Sequence, residues 1–437
     1  MALHRPGRKP ASACASTTPG KRRRTSACLP VAPASPSPIP WVFPVDIVLE
    51  IVARLDASTL VRCAALCKSL RRDILSPAFL GRDKPADRIV PPCLLGYLHT
   101  YDEENRDEPQ SPPALFSLVH PCSAPAAVSF SDKHLAPFLS RSAAGLLGRY
   151  KPVTSRGGLV VLRRRNINRR KRSERRSDMC VYDPMSGERT FFPIPPDIRT
   201  HCYPQPVEEV YVLLTAADGI DCSFMLLVAD FTSFHDSGCT IRAQTISSDS
   251  GGTWAPITYA SDPGSPWGFL VECRSAVVLH GGVVCWLSTR NKILMYQVTT
   301  LTAGSVKLPV TNRDVSQLHL GKSPEGRLRL LVADGFIVSV WLLSPGNAWE
   351  LKTVMNSEDQ LRVLDPEIPP DDVFLHFRSS GERSGTAVLH ANGAELIVLD
   401  VETGNMRKIN VITYGWKYSL LVDVDLPTRL QTMKTFT

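Results

Sequence analysis

The sequence has no apolar run near the roughly 18 residues that a membrane-crossing helix requires. Its longest apolar stretches, around Phe224 to Ala229 and Phe336 to Leu343, have the length of strands. No apolar stretch follows the first basic residues, so no secretory signal is expected, and no Asn-x-Ser/Thr acceptor occurs. Among twelve cysteines there is no Cys-x-x-Cys pair. The closest two, Cys63 and Cys67, stand at helical spacing without histidine partners, which argues against a zinc site. They are read as buried free thiols in a reducing compartment.

Catalytic signatures are also missing. Leu320-Gly321-Lys322-Ser323 ends like a phosphate loop, but Ser316 stands where the entry glycine is needed. No Gly-x-Ser-x-Gly, His-Glu-x-x-His or EF-hand spacing is present. The ten histidines are dispersed, and His201 and His280 read as loop or core residues. The acidic runs Asp102-Glu103-Glu104 and Asp371-Asp372 read as solvated faces. A non-enzymatic chain with no catalytic residue, cofactor or metal ligand is therefore expected.

Charge is what the chain has, unevenly. Net charge is +8 over 437 residues. Residues 1–40 contribute +7 and residues 163–176 another +8, leaving −7 on everything else. The body is mildly acidic, so nucleic acid is not an expected general partner. Residues 1–40, with eight Pro and eight Ser/Thr, lack the apolar content to offset ordering entropy and read as a disordered tail. Lys21, Arg22, Arg23 and Arg24, with Arg169, Arg170, Lys171 and Arg172, form a possible nuclear signal. The loop from Arg163 to Arg176 interrupts a hairpin, lacks interleaved aromatics for base stacking, and repels itself.

From Phe43 the pattern becomes helical. Pro44 suits a first helical turn, and Asp46 the positive end of the helix dipole. Ile47, Ile51 and Leu55 recur every fourth residue, widened by Val48 and Val52. Asp56 or Ser58 caps a second helix carrying Leu60, Val61, Ala64 and Ala65. A third runs from Cys67 to Leu75 and stops at Pro77. Three such helices cannot cover their own apolar stripe, so part of it is expected to meet another protein.

After about residue 90 the helical signal fades and short strands alternate with turns. Gly158–Leu162 and Met179–Tyr182 are strands, Asp183 to Gly187 a turn, and Arg189–Phe192 the return. The same sentence recurs as Leu396–Leu399, Asp400 to Gly404 and Met406–Val411. His280-Gly281-Gly282 joins Ala276–Leu279 to Val283–Leu287, and Asn392-Gly393 joins two more strands. Phe191, Trp254, Val306, Trp349 and Met406 mark comparable places after turns. Irregular units of about 45–60 residues suggest a β-propeller of unreadable blade count, with a β-sandwich pair as the competing fold.

The run FPVDIVLEIVARLDASTLVRCAALCKSLRRDILSPAFL resembles an F-box. Phe43-Pro44, Asp46, Ile47, Ile51, Leu55, Leu60, Arg62, Cys67-Lys68, Arg71, Pro77 and Phe79 fall in register with that family's pattern. Phe43 stands where Leu is usual and Leu70 where Trp is usual; both remain large and apolar. SRGGLVVLRRR with CVYDPMSGERTFFPIPP, HGGVVCWL and Tyr418-Ser419-Leu420 are similar to the β-rich, kelch-like domain that follows F-boxes in a large plant (grass-type) family.

The resemblance implies α+β architecture in separate domains: a three-helix F-box, then an all-β propeller-like domain. The expected layout is a tail at 1–40, F-box at 41–81, linker at 82–92, propeller-like domain at 93–426 and tail at 427–437. It further implies a substrate-recognition adaptor of an SCF-type cullin ubiquitin ligase, in the nucleus and/or cytoplasm. In that family the F-box packs on a Skp-type adaptor tied to a cullin. Here Phe43, Pro44, Ile47, Ile51, Leu55, Leu60, Cys67 and Leu70 would serve that contact and the small core. The β-domain would hold an unidentified target protein; no membrane is implicated. The alternatives are a nuclear scaffold touching nucleic acid through segments 21–24 and 163–176, which predicts steep salt dependence, and a propeller enzyme or lectin, which needs a polar cluster at the propeller axis.

Overall fold

The computed structural model describes residues 72–73, 93–101, 116–119, 145–165, 177–198, 202–203, 205–206, 210–234, 238–262, 271–288, 291–311, 313–366, 368, 373–391, 396–409 and 416–425. The F-box positions Phe43, Pro44, Ile47, Ile51, Leu55, Leu60, Cys67 and Leu70, and the basic residues Lys21 to Arg24 and Arg169 to Arg172, lie outside the described residues. Arg72 and Asp73, inside the expected third helix, are helical.

The strands are, in chain order, β1 (Cys93–Tyr101), β2 (Phe116–Val119), β3 (Tyr150–Arg156), β4 (Leu159–Arg164), β5 (Met179–Tyr182), β6 (Arg189–Phe192), β7 (Cys202–Tyr203) and β8 (Gln205–Pro206). Then come β9 (Val210–Thr215), β10 (Phe224–Phe234), β11 (Gly238–Ser247), β12 (Thr258–Asp262), β13 (Val271–Leu279), β14 (Val283–Ser288), β15 (Lys292–Gln297) and β16 (Thr302–Lys307). The last are β17 (Leu318–Lys322), β18 (Leu328–Asp334), β19 (Ile337–Leu343), β20 (Trp349–Asn356), β21 (Leu375–Ser380), β22 (Thr386–Ala391), β23 (Leu396–Asp400), β24 (Met406–Lys408) and β25 (Trp416–Asp425).

Pairing gives five four-stranded antiparallel blades, β3–β6, β9–β12, β13–β16, β17–β20 and β21–β24. A three-stranded sheet, ordered β2-β1-β25, ties the end of the domain to its beginning, with Tyr97 opposite Leu421. The first strands of successive blades meet one another, and β25 lies against β3, so the blades form a propeller around an axis. A sandwich is thereby ruled out. β7 and β8 make a small hairpin in the connection between the first and second blades.

The core is divided among the gaps between blades. In β9, Val210, Val212 and Leu214 enter the cluster shared with the third blade, while Tyr211 and Leu213 enter the one shared with the first. In β10, Leu227, Ala229 and Phe231 alternate with Leu226 and Val228 in the same way. A strand buried on both faces needs no polar alternation, so VYVLL and FMLLVA read as unbroken apolar runs. Each fully buried Val or Leu contributes about 1.5–3 kcal/mol relative to exposure.

The repeated strand–turn–strand sentence is one repeated geometry. Asp183 Oδ1 accepts from the backbone N–H groups of Met185 and Ser186, as Asp400 Oδ1 does from Glu402 and Thr403. Gly187 and Gly404 both sit at φ 74°, each donating N–H to the carbonyl of its turn's aspartate at 2.8 Å. The turn after β15 copies this bond from Leu301 to Gln297 at 2.9 Å, but places Leu301 at φ 57°, where a side chain is strained.

The marker residues fall on fourth strands: Phe191 on β6, Val306 on β16, Trp349 on β20 and Met406 on β24. Trp254 differs, standing in the segment before β12, where its indole N–H donates to the Pro193 carbonyl at 2.8 Å. Two further expectations need correction. The return strand after Gly404 ends at Lys408, and a helix, α1 (Glu358–Leu364), follows β20 in a stretch read as helix-free. Only Leu361 of α1 is buried, so no apolar stripe announces it. Gly321 and Lys322 lie inside β17, with a strand rather than a helix following, which removes the phosphate-loop geometry.

Candidate functional site

The first strands of the blades all run the same way, so the propeller has two ends of different character. One end carries the turns after β3, β9, β13, β17 and β21, tight except for residues 216–223 after β9. The other is reached by the connections spanning 165–178, 193–209, 263–270, 308–317 and 357–374.

At the tight-turn end Arg156 closes β3. Its guanidinium bonds Asp218 and Glu382, each at 2.8 Å, and donates to the Val278 carbonyl at 3.1 Å. One side chain thus joins the first, second, third and fifth blades. Asp218 is fixed in turn, its other oxygen accepting from the N–H of Thr215 at 2.8 Å and from the Thr215 hydroxyl at 3.2 Å. Gly157 follows Arg156 at φ 56°, and a Cβ there would stand 3.2 Å from Thr215 Cγ2. Two carboxylates share one cation, and Asp218 is 1% exposed. Removing one partner of such a buried pair costs about 3–5 kcal/mol.

Beside this hub, Asp423 on β25 accepts from the N–H groups of Arg383 and Ser384 at 2.6 and 3.3 Å, clasping the β21–β22 turn to the closing sheet. Burial pushes its carboxyl up to about 6. The neighbouring Glu382 charge acts in the same direction, against the two backbone N–H bonds.

At the opposite end, Asp314 Oδ1 accepts from the backbone N–H of Ser316 at 2.8 Å and from its hydroxyl at 2.6 Å. The same hydroxyl lies 2.6 Å from His376 Nδ1. His376 stacks on His390, ring centroids 5.1 Å apart, and Phe374 packs beside it at 6.4 Å with 47% exposure. These hydrogen bonds hold the Asp314 carboxyl below its ordinary value. Burial, then the Arg378 and His376 charges, press His390 down to about 4. His319 on β17, fully buried against Phe377, is pushed down to about 4 by burial and Arg329.

None of these groups was singled out by the sequence reading except Ser316, in rejecting a phosphate loop. Arg156 before a Gly-Gly turn, and His376 and His390 placed symmetrically about the turn at 381–385, were the available signals. His280 sits in its tight turn, 3.4 Å from where a Gly219 Cβ would stand, as a loop residue. Among the described residues Cys180, Cys222 and Cys285 are free, and burial raises the Cys180 and Cys285 thiols to about 12, far from nucleophilic thiolates. No group of three potential metal ligands occurs among the described residues. No described helix is long and apolar enough to cross a membrane. The basic segment is partly committed to the fold: Arg163 donates to the Tyr211 hydroxyl at 3.3 Å, Arg164 lies 4.0 Å from Asp178, and Arg165 donates to the Tyr150 carbonyl at 3.3 Å.

Comparison with known proteins agrees with two parts. No curated protein matches the chain. Among solved structures it is similar to one described as YCF48 bound to D1 peptide, at 13% identity over 59% of this chain and 66% of that one, TM-score 0.32. It is also similar to a protein from Lactobacillus plantarum, at 10% over 73% and 82%, TM-score 0.34. A third is apo AztD from Citrobacter koseri, at 11% over 63% and 62%, TM-score 0.25. The chain spans just under two thirds of the first and third of these structures. The F-box domain family matches residues 42–77, and an F-box followed by a propeller fits a substrate-recognition adaptor in general. Over residues 118–436 the match is to a domain of unknown function, and the chain belongs to that family, DUF7595.

Proposed function

We propose that this protein is the substrate-recognition subunit of an SCF-type cullin ubiquitin ligase. The F-box docks on a Skp-type adaptor, and the propeller holds a target protein. The observation that supports this best is an F-box ahead of a propeller that completes itself. Every described sheet is built from residues 93–425, and the described clusters between blades draw on no residue before Tyr97. On this reading the stripe of Ile47, Ile51 and Leu55, which three short helices cannot cover by themselves, is left for an adaptor.

On this reading the chain performs no chemistry. It raises the effective concentration of an acceptor lysine near the ubiquitin-loaded enzyme carried by other subunits. The end reached by the longer connections presents the target, because the tight-turn end is closed by its own ion pairs. The basic segments at 21–24 and 169–172 would direct the chain to the nucleus.

Ile47→Asp places a charge on the docking stripe. It is expected to abolish co-purification with a Skp-type adaptor while the circular dichroism and melting of the propeller stay as in the parent. Undiminished capture of the adaptor by the variant refutes the docking assignment.

A further inference from the structure

We propose that the long-connection end of the first blade binds a short acidic segment of the target protein, held by Arg149, Lys151, Arg163, Arg164 and Arg165. This deepens the ligase reading and rests on it, since it names the chemistry of the segment that the propeller would hold.

Register sets the charges side by side. In the ladder between β3 and β4, Lys151 stands opposite Arg163 and Tyr150 opposite Arg164. The Arg165 N–H donates to the Arg149 carbonyl at 2.8 Å, which continues the ladder by one rung. Three consecutive rungs thus carry all five cations, and on the outer two a cation faces a cation. Opposite residues have Cβ atoms about 4.5–5.5 Å apart, and like charges placed so destabilise a sheet. An anion lying across the rungs relieves that repulsion and is attracted by all of them together.

Arg163 donates to the Tyr211 hydroxyl and Arg165 to the Tyr150 carbonyl, each at 3.3 Å. Both bonds orient a guanidinium without cancelling its charge. The carboxylate alongside, Asp178, is fully buried and lies 4.0 Å from Arg164, whose side chain stays 35% exposed. Arg149 is exposed. Phe191 on β6 adds an apolar contact, its ring 6.2 Å from Tyr150 and 42% exposed. A half-exposed ring beside a row of cations suits a peptide, which brings carboxylates and an apolar side chain on one short stretch.

Nucleic acid fits less well. Outside residues 1–40 and 163–176 the chain carries −7. A long polyanion reaching beyond this blade meets that acidic body, including the exposed Asp334 and Asp359. A segment of a few residues stays within the cationic rungs.

The test is binding of a short fluorescein-labelled peptide, glutamate and serine alternating around one phenylalanine, to the full chain by fluorescence anisotropy. No adaptor is present, so failure here is separate from failure of the capture assay with Ile47→Asp. The parent is expected to bind this peptide, more weakly as salt rises, and not its glutamine counterpart. Arg149→Gln/Lys151→Gln should weaken binding about tenfold, as the loss of two exposed ion pairs implies. It removes one member of each like-charge pair, so its melting temperature should not fall. Arg149→Lys/Lys151→Arg keeps the charges and should bind as the parent does. No binding by the parent, equal affinity for the glutamate and glutamine peptides, or unchanged binding by the glutamine variant overturns the proposal. So does an equal loss in the charge-keeping variant, or tighter binding of a single-stranded oligonucleotide of the same charge.

Discussion

Replacing Asp423 by Asn tests whether the clasp on the closing sheet is strained by its own charge. Burial, helped by Glu382, lifts this carboxyl to about 6, while an unfolded chain holds it near 3.9. The folded state therefore binds the proton more tightly. The resulting stability is fully present below about pH 3.9 and is lost as pH rises through about 6. Two decades of proton affinity, each worth about 1.36 kcal/mol, set a ceiling of about 3 kcal/mol; partial exposure reduces it to about 1–2 kcal/mol. Asparagine keeps an oxygen for the Arg383 and Ser384 N–H groups and never ionises. The variant should be more stable than the parent by about 1–2 kcal/mol at pH 7.5, the gap closing by pH 4.5. Urea denaturation of both proteins across that range, followed by tryptophan fluorescence, isolates the site, because the other carboxylates cancel in the difference. An Asn variant that is destabilised equally at both ends of the range would refute the burial argument. It would mean that folding does not change the proton affinity of this carboxyl and that the asparagine loses stability through its hydrogen bonds or packing alone.

The copied turns make opposite predictions for two residues at the same geometric position. Gly404→Ala, at φ 74° with Met355 Sδ 3.3 Å from the new Cβ, should lose about 1–2 kcal/mol in a denaturation midpoint assay. Leu301→Gly, at φ 57°, relieves the same strain at some cost in unfolded-state entropy and should gain about 0.5–1 kcal/mol. Trp286 is fully buried, edge-on to Phe231 at 5.3 Å, between the second and third blades. Trp286→Ala should cost about 3–5 kcal/mol by the same assay. Trp286→Phe should cost much less, since the indole N–H has no hydrogen-bond partner to lose.

What the sequence revealed was local. Asp183 to Gly187 and Asp400 to Gly404 were readable because each turn is closed within itself. An aspartate oxygen caps two backbone N–H groups, and a glycine takes the left-handed position that other residues resist. The 45–60-residue spacing pointed to repeated blades without giving their number, and four of its five markers fall on fourth strands. The closing sheet was illegible because β1 finds β25 across nearly the whole domain, and nothing in either strand names the other. The helix Glu358–Leu364 escaped because a seven-residue element with one buried side chain has no period to detect. The candidate sites escaped for the same reason as the closing sheet. Arg156 meets Glu382 across 226 positions and His376 meets Ser316 across 60, and polar pairs have no repeating signature along the chain.

The two ends therefore differ in what they leave free. At the tight-turn end, Arg156 is matched by two carboxylates and a carbonyl from three other blades, so a ligand there would compete with buried ion pairs whose disruption costs about 3–5 kcal/mol. At the other end the exposed charges are matched within single elements or close neighbours. Arg313 pairs with Asp334 at the surface, where exchange for a partner's charge costs under about 1 kcal/mol. Phe374 is half-exposed beside His376. On the proposed function this favours the long-connection end as the face that meets a target, because binding there leaves the Arg156 ion pairs intact.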